Sequence, residues 1–160
     1  ADKAGFDAGI DPHQAWLVRL AALIAPGRAP VLAQRLRLSR QESRLLAGLD
    51  AGDPAQTAAL LNGPDWQQGA YVMLRDQLPP AALLVVAAAR CGHTADPDHL
   101  AMLASWVAPE FPLGAADLLS HGVDKGPCLG EVLRAAEAHW VSEGFAPSRQ
   151  DLIDFAMTPR

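Results

Sequence analysis

Asp-Pro occurs three times in this chain, at Asp11-Pro12, Asp53-Pro54 and Asp96-Pro97. Each pair stands ahead of an apolar stretch and reads as a helix opening. The aspartate accepts a hydrogen bond from a free N–H of the first turn, and the proline lacks only an N–H that would have no partner there. Gly126-Pro127 opens a helix in the same way, with glycine in the capping place. Stops are marked as clearly. Pro26-Gly27, Gly52, Asn62-Gly63-Pro64, Gly92 and Gly122 follow apolar runs, and glycine accepts the positive φ on which many helices end. So much punctuation permits only short elements. Alanine and leucine dominate, β-branched residues are sparse, and no stretch alternates apolar and polar for long enough to be a strand. The expected fold is all-α, an irregular multi-helix array of about nine or ten short helices.

The spacing predicts a first helix over 12–25, capped by Asp11, with Trp16, Leu17, Leu20, Leu23 and Ile24 inward. A short helix over 30–36 leads to Ser39 and Glu42, which form a capping box. The helix behind that box turns Leu45, Leu46 and Leu49 inward and ends near 50–52. Another runs from 54 to 61, and the next over 65–78 carries Trp66, Ala70, Met73, Leu74 and Gln77 at rough helical spacing. Residues 81–91 are apolar all round and read as a central buried helix capped by Gly92. Residues 98–107 point Leu100, Leu103 and Val107 inward. The segment 117–121 ends a helix, and Pro127 opens a long one to Ser142. Ser148 with Asp151 caps a last helix ending near Phe155.

The chain has 160 residues, half of them hydrophobic, enough for one core or for two small helical units. We expect a linker or frayed start at 1–11, a helical body at 12–108 and a tail at 109–160, with a single compact unit as the other arrangement. Residues 1–9 have no apolar leader core, and the longest apolar run, 81–89, is too short to cross a bilayer. Two cysteines make no disulfide framework, so a reduced cytoplasm is the expected setting. The missing initiator Met suggests a piece of a longer protein.

Catalytic patterns are scarce. Asp50 lies near Asp53 and Asp96 near Asp98, but all four sit at helix ends beside glycine or proline, where capping is the commonest use of aspartate. Cys91, His93 and His99 offer one close pair of soft ligands, whereas a structural zinc site usually needs four. Cys91 is expected to be a buried cysteine and the histidines to lie at the surface. No Gly-x-Ser-x-Gly, P-loop or dinucleotide fingerprint occurs. The net charge of −5 argues against a protein built only to coat nucleic acid.

Two basic features remain. Arg35, Arg37, Arg40 and Arg44 crowd one region, with Arg40 and Arg44 one turn apart on a helix face. Guanidinium groups so placed grip phosphates; the alternative is a solvated face neutralised by Glu42 and Asp50. The turn from Gly122 through Lys125 and Gly126 to Pro127 is expected to aim several backbone N–H groups one way, at a helix N-terminus, as a phosphate nest. Lys125, Arg134 and Arg149 would surround it. The plainer reading is a chain reversal. Trp140 is placed either to stack on a base or, with Leu133 and Ala136, to fill a core.

The order of residues adds a resemblance. Phe111-Pro112-Leu113, Ala116-Asp117-Leu118-Leu119, Gly122-Val123, Gly126-Pro127 and Leu129-Gly130, followed by a helix ending in Trp140, then Phe145 and 149–152, is similar to the tail of bacterial tRNA nucleotidyltransferases. These are the CCA-adding and poly(A) polymerase-like enzymes. Residues 19–23, Arg-Leu-Ala-Ala-Leu, followed by the Arg35-Leu36-Arg37-Leu38-Ser39 turn, resemble an earlier block of the same family. The resemblance implies a catalytic head that binds Mg2+ through two carboxylates and holds nucleoside triphosphates, none of whose motifs stands in this chain. It implies for this portion an RNA-gripping role in tRNA 3′-end processing, with Arg35, Arg37, Arg40, Arg44, Gly122, Lys125, Gly126 and Arg134 as candidate RNA contacts. Its partners would be the tRNA acceptor arm, its own head and a second copy in a homodimer, with no membrane. Two other readings stand beside it: a helix-hairpin-helix module binding DNA non-specifically through the Gly122 turn, and a structural or dimerisation domain.

Overall fold

The computed structural model describes residue 10 and residues 12–158. The rest of the expected 1–11 linker, and Asp11 as a cap, lie outside the described residues. Within them run ten α-helices: α1 Ala15–Leu23, α2 Ala29–Arg35, α3 Arg40–Asp50, α4 Pro54–Asn62, α5 Trp66–Arg75, α6 Pro80–Arg90, α7 Pro97–Ser105, α8 Ala115–Ser120, α9 Pro127–Ser142 and α10 Arg149–Met157. The described residues contain no strand, so the all-α reading holds. None of these helices is long and apolar enough by itself to cross a membrane. By its contacts the chain divides into two units, Ala1–Val107 and Ala108–Arg160.

In the first unit α6 is the hub. Ala81 to Ala88 are all buried, and α1, α3, α4, α5 and α7 pack on this helix. A helix that is apolar all round has no face to offer water, so neighbours must cover every side. Leu46, Leu49, Leu61, Leu84, Leu100 and Leu103 fill the space between, each burial stabilising by roughly 1.5–3 kcal/mol. Around Trp66, the Trp106 ring stands edge-on at 5.4 Å and the His99 ring at 6.3 Å.

The sequence misplaces two faces here. Helix α1 begins at Ala15, not Pro12, and buries Leu17, Val18 and Ala21. Trp16 is 42% and Leu23 85% exposed. Of the expected stripe Leu17 is buried and Leu20 and Ile24 pack partly buried against the core, while Val18 and Ala21 stand inward where Trp16 and Leu23 were expected. Val107 is also 85% exposed, since α7 stops at Ser105 and the chain there no longer follows the helical period.

The second unit stacks α8 and α10 against α9. Leu113, Leu118, Ala136, Trp140, Val141, Leu152 and Ile153 are its buried residues. Phe111 and Phe145 flank the Trp140 ring at 5.5 and 4.9 Å, and His139 stacks on Phe155 at 4.1 Å. Trp140 is therefore core and not a stacking platform for a base.

Five helices end alike. At α2, Leu38 N–H donates to Ala33 O at 3.0 Å and Arg37 N–H to Gln34 O at 3.2 Å. The same pair of bonds closes α5 at Gln77–Leu78, α6 at Gly92–His93, α8 at Gly122–Val123 and α9 at Gly144–Phe145. This is the Schellman motif, whose first residue past the cap takes positive φ.

Candidate nucleic-acid interface

Helices α2 and α3 form the corner that carries the arginines. Pro30 lies in the first turn of α2 and Leu36 caps its end. The chain then turns through Arg37, at φ 53°, into Ser39. Ser39 and Glu42 make the capping box as read from the sequence: the Ser39 Oγ accepts from Glu42 N–H at 3.2 Å, and the Glu42 carboxylate accepts from Ser39 N–H at 2.8 Å. Hydrogen bonds from the Ser39 side chain and backbone hold the Glu42 carboxyl below the usual carboxylate range.

Arg35, Arg37, Arg40 and Arg44 are all exposed. The two carboxylates expected to neutralise them are engaged elsewhere. Glu42 caps α3, and Asp50 is buried against Arg90 at 2.6 Å, with side chains 4% and 8% exposed respectively. Among the described residues Arg35, Arg37 and Arg40 enter no ion pair. Arg44 donates from Nη1 to Gln77 Oε1 at 3.3 Å, a neutral partner that leaves its charge intact.

Asp50 thus serves the fold. Its Oδ2 accepts from Ala29 N–H at 3.0 Å, satisfying the first turn of α2. Arg90 in turn donates to Ala21 O at 2.9 Å and to Asp50 O at 3.4 Å, the carbonyl ends of α1 and α3. One buried pair ties the ends of four helices, counting the α6 end that carries Arg90. Asp53 accepts from Ala55 and Gln56 N–H, and Asp96 accepts from Asp98 N–H, so both are caps. No group of three or more His, Cys, Asp or Glu among the described residues is placed to hold a metal ion. Cys91 corrects an expectation: it is exposed, as is Cys128, because α6 ends at Arg90 and Cys91 caps it outside the core. His99 is half-buried, with Nε2 at 2.8 Å from Leu61 O.

In the Gly122 turn two N–H groups of the expected nest are used by the helix that ends there. Gly122 has φ 92°, and its N–H donates to Leu119 O at 3.2 Å while Val123 N–H donates to Leu118 O at 3.0 Å. Both N–H groups point back into α8. Lys125 and Gly126 are exposed beyond them, and Arg134 is exposed on α9. A Cβ at Gly130 would sit 3.6 Å from Arg134 Nη2, so the guanidinium lies back over this glycine toward the turn. Arg149 does not join that group as a free cation. It is ion-paired with Asp117, which also accepts from Gly114 N–H at 2.8 Å. The Arg149 hydrogen bond, then the Gly114 N–H, hold the Asp117 carboxyl below its ordinary range.

The structure thus places four of the sequence-read candidates on the α2–α3 corner and the other four around the α8–α9 turn, each set in its own unit. Gln77, bonded to Arg44, is a residue of this surface that periodicity had assigned to a helix interior. Compared with protein-family models, curated proteins and solved structures, the chain matches none.

Proposed function

We propose that this chain grips RNA through its phosphates, as the body and tail of a tRNA nucleotidyltransferase-like protein whose head, with its Mg2+ and nucleoside triphosphates, lies outside it. The observation that carries the reading is the α2–α3 corner: three exposed arginines in no ion pair among the described residues, with the carboxylates expected to neutralise them engaged in a helix cap and a buried pair. In an acidic chain of net charge −5, a local concentration of unneutralised guanidinium is the feature that attracts a phosphate backbone. The resemblance of both ends of the chain to that family supplies the tRNA acceptor arm as ligand. Contacts of this kind position RNA without reading its sequence.

The turn at Gly122 is the secondary contact. With Gly122 and Val123 N–H groups used within α8, Lys125 and Arg134 are its available cations.

Filter binding of tRNA to the full chain over a salt series tests the reading. We expect tighter binding at low salt, and changing Arg35, Arg37, Arg40 and Arg44 together to alanine lowers the dependence of log K on log salt by roughly 3 units if each contacts a phosphate. Unchanged affinity in that variant sinks the proposal. Equal affinity for duplex DNA and tRNA moves it to the hairpin alternative.

A further inference from the structure

We propose that Gln77 is a further RNA contact, and that Arg37 and Gln77 keep a strained backbone because their side chains meet ribose and phosphate. The inference rests on the reading of the arginine corner as an RNA grip and extends it to the end of α5.

The five Schellman corners supply an internal comparison. At three of them the left-handed residue is glycine: Gly92 at φ 76°, Gly122 at 92° and Gly144 at 64°. At the other two it is Arg37 at 53° and Gln77 at 62°. A Cβ in that region crowds the following carbonyl, so glycine suits it best. Among the described residues Phe145 is the one other non-glycine with positive φ, and its ring packs on Trp140. Arg37 and Gln77 have no such reason, because both are exposed. The apolar contact at their corners comes from the next residues, Leu38 and Leu78, which pack against the core. The backbone motif asks nothing of side chains 37 and 77. Residues held in disfavoured φ cluster where a ligand is bound.

The second observation joins the two corners. Arg44, one turn beyond Arg40 on α3, donates to Gln77 Oε1 at 3.3 Å. That bond leaves the Gln77 NH2 free to donate and orients the Arg44 guanidinium, whose remaining N–H groups stay available. An amide donor beside a guanidinium suits phosphate oxygens and ribose 2′-hydroxyls. It makes the RNA surface run from Arg35 through Arg37, Arg40 and Arg44 to Gln77.

The test uses opposite signs. In the full chain, Gln77→Gly and Arg37→Gly are each compared with the parent by thermal unfolding and by tRNA binding over a salt series. Relief of strain raises Tm by roughly 2–4 °C in each. Affinity falls by roughly 3–10-fold for Gln77→Gly, the effect of one lost hydrogen bond, with its salt slope unchanged. Arg37→Gly also weakens binding and reduces the slope by roughly 0.7–0.9. If the quadruple arginine variant loses tRNA while Gln77→Gly keeps full affinity, the Gln77 contact is overturned and the arginine grip stands. If the quadruple variant binds as the parent does, both fall. A lower Tm in Gln77→Gly makes the residue structural and overturns the inference.

Discussion

Arg90 shows how much of this fold hangs on one side chain. Its guanidinium meets Asp50, Asp50 O and Ala21 O inside the first unit. Arg90→Ala leaves the Asp50 carboxylate buried with no counter-charge, and stability should fall by roughly 3–5 kcal/mol, measured by urea unfolding. Pairing Arg90→Met with Asp50→Leu should recover only part of that loss: no charge is then left without its partner, but Ala29 N–H and Ala21 O lose theirs. No local pattern announces this pair: its members stand 40 positions apart, and each is a plausible helix-end residue taken alone. The Ser39 box is the opposite case. Serine three residues before glutamate, ahead of an apolar run, specifies its own geometry, and the hydrogen bonds are the expected ones. Ser39→Ala should cost roughly 0.5–2 kcal/mol in the same measurement. Gln77 was missed because residues in left-handed turns are usually announced by glycine, and here none stands.

At the level of helices, most ends were legible and so were the faces of α3 and α7, where Leu45, Leu46, Leu49, Leu100 and Leu103 are buried as read; the face of α1 was not. Helix α9 runs from Pro127 to Ser142 as read, because Gly126-Pro127 and Gly144 are local signals acting on local backbone. The inward face of α1 depends on what α6 presents, which no window of sequence contains. Two substitutions check the corrected face. Leu23→Gln, on an exposed position, should change stability by no more than about 0.5 kcal/mol. Val18→Ala, in the core, should cost roughly 1–3 kcal/mol. The expected stripe predicts the reverse order. The Gly122 turn was read correctly as a helix stop, and two of the N–H groups read into its cradle, those of Gly122 and Val123, are used to close that helix. A Schellman corner uses its own N–H groups to finish the helix it ends, so the glycine that marks the turn is also the residue that closes it.

For the whole molecule, acid is the informative variable. Glu42, Asp117 and Asp151 all have carboxyl groups held below their ordinary range, by Ser39, by Arg149 and Gly114, and by Ser148 respectively. A carboxylate whose folded pKa is depressed stabilises the fold above the unfolded value, near 4, and that stabilisation is lost as pH falls through the lower folded value. Thermal stability should therefore decline as pH drops below about 4–5, and Asp117→Asn should flatten the decline. A pH-independent Tm across that range would contradict the caps. Because Asp117 and Asp151 lie in the second unit and Glu42 in the first, both units contribute to the acid response. The two exposed thiols have a practical consequence. Cys91 and Cys128 are the only cysteines in the sequence, and one falls in each unit. The unaltered chain thus carries a ready pair of dye-attachment points, and energy transfer between them would report whether RNA changes the spacing of its halves. The same thiols will link copies of the chain through intermolecular disulfides on storage without reductant.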